Sequence, residues 1–322
     1  MALRALILAA GLGTRLRPLT SVRAKAAVPV NGVPLVRRVM SWLVSEGVTD
    51  LVINLHHHPR SIAAVVGDGR DGGARVRYSW ENPALGSAGG PRHALPLLTD
   101  RAGGRTGTES FVIVNGDTLT DLPIGGLMDT HEKCGARVTM SLIPNPRPDV
   151  YGGVLVEDGW ITGFTRPGSE RSYHFIGVQA ARPDAFADLE DGVPWESVNW
   201  LYPRFIKESP KSVAAFIVDA PFSDIGTPAD YLQTSLDLAA WEGDHLISSF
   251  GTDIHQSAVV VRTPVWDGAA IGENAVLEDC IVCDGVRVAP GSRYSRCALV
   301  PFGGEALAAE EWREGDLLIR RF

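Results

Sequence analysis

From Arg4 to Ala9 the chain is a continuous apolar run, and it passes without a spacer into Gly11-Leu-Gly13. No other feature constrains the fold as much. A strand that is apolar at successive positions, rather than at alternate ones, is covered on both faces, as inside a parallel sheet flanked by helices. A glycine loop at its carboxyl end then lies where α/β sheets bind ligands. The run resembles the apolar part of a leader peptide, but no cleavage site followed by mature sequence succeeds it. No apolar stretch reaches the roughly 18 residues of a membrane span. Four cysteines in 322 residues offer no disulfide framework. The expectation is therefore a cytoplasmic protein with no membrane partner.

The next segments repeat the alternation. Pro34–Glu46 carries Leu35, Val36, Val39, Met40 and Leu43 at helical spacing, and Gly47 ends it. Leu51–Leu55 reads as a strand, Gly86–Leu98 as a helix and Phe111–Val114 as another buried strand. This order predicts an α/β fold with a Rossmann-like, mostly parallel sheet and right-handed crossovers. Arg137–Ile143, Val154–Val156 and Ile161–Phe164 read as further strands, with a hairpin turn at Glu157-Asp158-Gly159. Pro228–Ala240 closes the region as a helix. After about Leu246 the character changes. Small or aliphatic residues recur every six positions (Val265, Ile271, Leu277, Cys283, Ala289, Ser295), with Ala269, Ala275 and Ile281 as a second series. A six-residue period predicts a parallel β-helix of two to three coils. The expected domains are residues 1–245 and 246–322. The tail Glu305–Phe322, with Trp312 and Leu317-Leu-Ile319, either caps the coil or joins a homo-oligomer.

The net charge of −8 excludes a sequence-independent nucleic-acid binder, which needs a basic footprint. It leaves room for phosphate ligands served by local basic residues. Of the 30 basic residues only four are lysine, so a lysine kept in a demanding position stands out. One is Lys25, beyond the segment Ala10-Gly-Leu-Gly-Thr-Arg-Leu-Arg-Pro-Leu-Thr20. Gly11 and Gly13 allow close backbone approach, and their N–H groups can face phosphate oxygens. Arg15 and Lys25 add positive charge. The bland alternative is a tight turn with incidental charges. Leu16 stands where a dinucleotide fingerprint needs its third glycine, and no P-loop sequence is present.

The segment resembles the hallmark of the sugar-1-phosphate nucleotidyltransferases, or NDP-sugar pyrophosphorylases: Gly-x-Gly-Thr-Arg-Leu-x-Pro-Leu-Thr, then a lysine before Val-Pro. Gly11–Thr20, Lys25 and Val28-Pro29 match it, with Ala24 where proline is usual. Glu81-Asn-Pro-Ala-Leu-Gly-Ser-Ala-Gly89 resembles the family's base-recognition loop with one residue added. Val114-Asn-Gly-Asp-Thr118 resembles its metal-carboxylate motif. Phe222-Ser-Asp-Ile-Gly-Thr-Pro228 resembles a second such motif, with Phe for Trp. Many members also carry a C-terminal left-handed β-helix.

The resemblance implies transfer of a nucleoside monophosphate from an NTP to a sugar 1-phosphate, with Mg²⁺. Arg15 and Lys25 are the implied catalytic residues. Ala10, Gly11, Gly13, Thr14, Glu81, Gly86, Ser87 and Gly89 are the implied nucleotide-binding residues. Asp117 and Asp224 are the implied metal ligands, since Mg²⁺ takes a few hard oxygens and keeps phosphate and water. Taken singly, Asp117 reads equally as an Asn-Gly-Asp turn and Asp224 as a helix cap. Gly152 and Arg166 are implied at the sugar phosphate. Where the family shows Phe-x-Glu-Lys-Pro this chain has Phe164-Thr-Arg-Pro167; Arg166 can hold a phosphate, whereas Thr165 lacks a carboxylate's acceptors. Glu196 is a candidate replacement, or else an acid in a helix's first turn.

The base-recognition loop and short β-helix resemble mannose-1-phosphate guanylyltransferases, so guanylyl transfer to mannose 1-phosphate or a related sugar is expected. The first hundred residues also resemble N-acetylmuramate 1-phosphate uridylyltransferases. Uridylyl or thymidylyl transfer is thus an alternative, as is a catalytically silent nucleotide-sugar sensor motivated by Thr165 and Arg166. An acyltransferase in the β-helix is not expected, since two to three coils are short for one and no catalytic histidine stands in the repeats. Two further clusters read as structural. His56-His57-His58 are adjacent, so their side chains point apart. Cys280, Cys283 and Cys297 read as small apolar packing, with Cys280 and Cys297 close to one coil apart.

Overall fold

The computed structural model describes residues 3–99, 109–168, 172–304 and 306–322. They form two compact units: residues up to Gly11 with Val36–Ser223, and Leu12–Leu35 with Asp224–Phe322.

The first unit is built on a nine-stranded sheet. Its strands are β1 (Arg4–Leu8), β2 (Asp50–Leu55), β3 (Arg75–Trp80), β4 (Phe111–Asn115), β5 (Val138–Pro144), β6 (Val154–Glu157), β7 (Trp160–Phe164), β8 (Tyr173–Ala181) and β9 (Val213–Ile217). The spatial order is β3-β2-β1-β4-β8-β5-β9-β7-β6. Helices α1 (Leu35–Ser45), α2 (Pro59–Val66) and α3 (Gly86–Leu98) connect the early strands. α4 (Ile124–Cys134) leads into β5, and α5 (Tyr202–Glu208) precedes β9. Ala5, Leu6 and Ile7 of β1 are fully buried, with parallel neighbours on both sides. Burying each leucine or isoleucine contributes roughly 1.5–3 kcal/mol, so this strand sets the centre of the core. Gly47 adopts φ 81° and its N–H bonds back to Val44 O, closing α1 where the sequence places its end.

The expectation of a mostly parallel sheet is corrected. Strands β1 to β4 are parallel, and β5 is parallel to β9. β8, however, runs antiparallel between β4 and β5, and β7 is antiparallel to β9 and β6. The sheet is mixed because, among the described residues, no helix separates β6, β7 and β8, so the chain returns without a crossover. The β6–β7 turn places Asp158 (φ 49°) and Gly159 (φ 82°) in the left-handed region, as a two-residue hairpin requires.

In the second unit α6 (Pro228–Glu242) begins at Thr227. Beyond it come β10 (Asp253–Ile254), β11 (Val259–Val261), β12 (Ala270–Ile271), β13 (Val276–Glu278), β14 (Ile281–Val282), β15 (Arg287–Val288), β16 (Arg293–Ser295) and β17 (Cys297–Pro301). They stack in parallel ladders: β10-β12-β15, β11-β13-β16 and β14-β17. Partners lie 17 residues apart, as in Asp253↔Ala270↔Arg287. The six-step series therefore holds through Leu277 and then slips by one. Val282 and Val288 stand one coil on from Val265 and Ile271; Cys283 of the series is buried as well, while Ala289 and Ser295 are exposed. Cys280 and Cys297 occupy equivalent buried places one coil apart, within the unit's apolar core. The tail caps the stack, because β19 (Leu317–Arg321) pairs antiparallel with β17 and with β18 (Glu311–Glu314). Glu305, where the sequence begins that tail, lies outside the described residues. Among the described residues no helix is long and apolar enough to cross a membrane.

Candidate active site

Two groups of the predicted residues are assembled, one in each unit.

In the first unit the carboxyl end of β1 meets a buried polar chain. Asn54, on β2, accepts through Oδ1 from the backbone N–H of Ala9 and of Ala10. Its Nδ2 donates to Glu81 Oε1 at 2.7 Å, and Leu85 N donates to Glu81 Oε2 at 2.8 Å. Asn54 and Glu81 are only 2% and 1% exposed. A buried carboxylate is stable only when its oxygens are satisfied, and here both are. Glu81 is thus held inside the loop network, fixing the 81–85 loop against the end of β1. Gly90 makes room for this pair: a Cβ there would lie 2.8 Å from Glu81 Oε1 and 2.9 Å from Asn54 Nδ2. Sequence reading did not single out Asn54 or Gly90. The available signal was one amide in the otherwise apolar strand Leu-Val-Ile-Asn-Leu.

The first turn of α3 follows. Gly86 has φ 75°, and a Cβ on it would meet Trp195 O at 2.7 Å and Glu196 Oε1 at 2.8 Å. A Cβ on Gly89 would meet Val193 O at 2.6 Å. Both glycines are needed because the 193–196 segment crosses the helix so closely. Ala88 N and Gly89 N donate to Trp195 O. Ser87 Oγ donates to Glu196 Oε2 at 2.9 Å and accepts from Ser197 N at 2.9 Å. Glu196 is exposed and stands beside Gly86 and Ser87.

Asp117 lies in the turn after β4, half-buried. Gly116 N donates to Leu8 O, tying that turn to β1. Gly177, in β8 at φ 79°, packs against it: a Cβ would come 2.5 Å from Thr118 Oγ1 and 2.7 Å from Asn115 Nδ2. Thr165 exchanges backbone hydrogen bonds with Gly153, and its hydroxyl also accepts from Gly153 N at 3.1 Å. The hydroxyl that stands in place of the family's glutamate is therefore engaged by backbone. Gly152 packs on Thr165 O, and Arg166 is exposed. Nearby, His174 lies between Tyr151 and Phe222, at ring separations of 4.5 and 5.0 Å. Burial lowers its pKa, which keeps the imidazole neutral.

In the second unit the glycine loop is shaped by short contacts. Gly13 has φ 60°, and a Cβ would lie 2.7 Å from Thr20 Cγ2. Thr20 Oγ1 donates to Gly13 O at 3.0 Å, and Thr14–Leu16 forms one 3₁₀ turn with Leu16 buried beneath it. This turns Arg15 outward, 67% exposed. Lys25, which begins the 3₁₀ turn Lys25–Ala27, is 14% exposed. Both face Asp224: Arg15 Nη2 lies 3.8 Å from Oδ2 and Lys25 Nζ lies 3.7 Å from Oδ1. These exceed hydrogen-bond lengths, so two cations are gathered about one carboxylate by charge. Asp224 is not the helix cap. That position belongs to Thr227, whose side chain accepts from Asp230 N while Thr227 N donates to Asp230.

The second unit thus offers exposed and partly buried cations for phosphate oxygens and a carboxylate with hard oxygens for a divalent ion; the first offers small-residue backbone just past the end of β1. The chain matches the nucleotidyl transferase family over residues 4–240. The mannose-1-phosphate guanylyltransferase of Mycobacterium tuberculosis is 25% identical over 91% of this chain and 83% of its own length. The N-acetylmuramate alpha-1-phosphate uridylyltransferase of Neisseria meningitidis is 34% identical over 59% of this chain and 80% of its own. The crystal structure of HddC from Yersinia pseudotuberculosis, complexed with GMP-PN, shares the fold with a TM-score of 0.61 at 22% identity, covering 73% of this chain and 99% of that one. The match over residues 4–240 spans the glycine loop, Lys25, Asp117 and Asp224, and the chain belongs to the nucleotidyl transferase family, among its sugar-1-phosphate nucleotidyltransferases.

Proposed function

We propose that the enzyme transfers a guanylyl group from GTP to mannose 1-phosphate or a closely related sugar 1-phosphate, releasing pyrophosphate. A phosphate oxygen of the sugar 1-phosphate attacks the α-phosphorus in line. This nucleophile is already anionic, so no general base is required. Catalysis then rests on positioning and charge neutralisation. Arg15 holds the β- and γ-phosphates, and Lys25 neutralises charge at the reacting phosphates. Backbone from Ala10 to Thr14 cradles the triphosphate, and the α3 N-terminus with Ser87 lines the base and ribose. Gly152 and Arg166 receive the sugar phosphate, and Glu196 offers an acceptor to the sugar hydroxyls. Residues 1–245 carry this chemistry, and the coil of residues 246–322 is a left-handed β-helix.

The divalent ion is Mg²⁺, assigned to the carboxylates of Asp117 and Asp224. Their hard oxygens fit its chemistry, and when bound it neutralises phosphate charge. The observation that carries the reading is the placement of Arg15 and Lys25 on either side of Asp224. The guanylyl choice is supported by the likeness of the 81–89 loop to that of mannose-1-phosphate guanylyltransferases; the span itself does not discriminate, since a guanylyltransferase matches 91% of this chain and a UTP–glucose-1-phosphate uridylyltransferase 90%. Uridylyl transfer is the second reading, favoured by the 34% identity of the N-acetylmuramate enzyme over a shorter span. The deciding experiment is a matrix of GTP, UTP, dTTP and ATP against sugar 1-phosphates with Mg²⁺, read by pyrophosphate release. Fastest turnover with GTP and mannose 1-phosphate is expected. Preference for UTP selects the second reading, and NDP-sugar binding without turnover would make the chain a sensor.

A further inference from the structure

The segment that carries Lys25 is clamped by the coil of its own unit, and the clamp is ionic. The 17-residue repeat places Asp267 and Asp284 at the same corner of successive coils, each followed by a glycine with φ 67° or 66°. Gly285 N donates to Asp267 O, so the two corners stack one ladder step apart, about 5 Å. Two carboxylates at that distance repel unless a cation joins them. Arg23 is that cation. Its Nε and Nη2 lie 2.6 and 2.7 Å from the two oxygens of Asp284, and Nη2 also lies 2.6 Å from Asp267 Oδ2. Its guanidinium lies 5.6 Å from the centre of the Trp266 ring. The side chain is 13% exposed. A lysine could not form this fork, which fits arginine at position 23 and lysine at 25.

The contact continues through the loop. Trp266 Nε1 donates to Tyr231 Oη at 2.8 Å, and Tyr231 Oη donates to Pro29 O at 2.6 Å. Asn31 Nδ2 donates to Gly243 O, and Asn31 Oδ1 accepts from His245 N. Between Arg23 and Pro29 the chain is buried at Ala24, Ala26, Ala27 and Val28, and it forms the 3₁₀ turn that begins at Lys25. A segment pinned at both ends, with its small residues buried, presents the Lys25 side chain from a fixed backbone.

We infer that Arg23, bridging Asp267 and Asp284, is a positioning residue for Lys25, so that the first coils of the C-terminal repeat are part of the catalytic apparatus. This rests on the role given to Lys25 above. The test measures kcat and both KM values of the full-length enzyme with Mg²⁺. The variants are Arg23→Ala, Arg23→Lys, Lys25→Ala and the Arg23→Ala/Lys25→Ala pair, compared at equal folded fraction by circular dichroism. Because a displacement of about 1 Å can cost about 100-fold, Arg23→Ala should lower kcat by roughly 10- to 100-fold with each KM changed less than about threefold. Arg23→Lys, which keeps the charge but not the fork, should recover part of kcat. In the Lys25→Ala background, Arg23→Ala should add less than about twofold, since both changes act through one ammonium group. Wild-type kcat in folded Arg23→Ala, or a fully multiplicative loss in the pair, overturns the inference. If Arg23→Ala does not fold, Asp267→Asn/Asp284→Asn, which keeps an acceptor at each corner, carries the same comparison. Wild-type turnover in Lys25→Ala removes the underlying role of Lys25. An inactive Lys25→Ala beside a fully active Arg23→Ala removes only the positioning role.

Discussion

The two predicted binding regions are built on opposite principles. In the first unit, Asn54, Glu81 and Leu85 are joined by hydrogen bonds of 2.7 and 2.8 Å, with both side chains almost sealed from solvent. In the second, Arg15 and Lys25 stand 3.8 and 3.7 Å from Asp224. The first network is complete on folding and gives the loop a fixed shape. The second gathers like-charged cations about one anion, an arrangement that incoming phosphates improve. Shape is set by short buried bonds, and charge is held ready at longer distance for a ligand whose own charge is large.

The comparison is broken most directly at the charge cluster. Lys25→Ala should lower kcat/KM by about 10²- to 10³-fold, the scale of one lost transition-state donor, about 3–4 kcal/mol. Its unfolding free energy should fall by about 0.5–3 kcal/mol, the range of most single substitutions, and so by less than the catalytic loss. A collapse in stability with normal specific activity would show that the cluster is structural after all. Asp224→Asn should come next: the Mg²⁺ concentration for half-maximal rate should rise roughly tenfold or more, about 1.4 kcal/mol. An unchanged Mg²⁺ titration would assign the ion elsewhere.

The loop network should respond the other way. Glu81→Gln leaves one acceptor oxygen for two buried N–H donors, so one faces an amide nitrogen. Leaving a buried donor unmet costs about 1–3 kcal/mol of stability. Gly90→Ala attacks the same pair by volume, placing a Cβ 2.8 Å from Glu81. Both variants should melt earlier, while activity per folded molecule changes little. Full stability with lost turnover in Glu81→Gln would mean that this carboxylate reads the nucleotide directly, as the family motif suggested.

What the sequence revealed, and what it hid, follows the range of the interactions. β1, α1 and α3 are legible because apolar spacing and glycine mark them locally. The Asp158-Gly159 hairpin is legible for the same reason. The antiparallel insertion of β8 between β4 and β5 is not, because nothing local states which strand a segment pairs with. The repeat was visible, but its slip after Leu277 depends on one residue missing from a turn. Lys25 stood out among four lysines. Arg23, one of 26 arginines, did not, since its partners lie 244 and 261 residues away. Asn54 was visible as a polar residue in an apolar strand, yet its partner Glu81 is set by the fold.

A smaller effect tests how closed the first unit is to protons. His131, on α4, is 2% exposed, with Nδ1 at 2.8 Å from Thr139 Oγ1 and Nε2 at 3.0 Å from Ser110 Oγ. Burial first, then the Arg182 charge, pulls its pKa from the ordinary 6.5 to about 4, against a smaller opposing effect of Asp184. Between pH 6.5 and 4 the unfolded chain therefore binds a proton that the folded chain refuses. The stability from keeping this imidazole neutral is fully present above pH 6.5 and is lost as the pH falls toward 4. His131→Gln cannot titrate. It should lower Tm at pH 7.5, where packing and hydrogen bonds to Thr139 and Ser110 are disturbed, by an amount equivalent to about 1–2 kcal/mol. The gap between wild type and variant should then narrow steadily as the pH is lowered to 4.5, because only the wild type loses this contribution. His174 remains in both proteins, and its own lowered pKa shifts both curves alike. A gap that stays constant over that range would mean that the folded protein admits a proton to His131 as readily as the unfolded chain does.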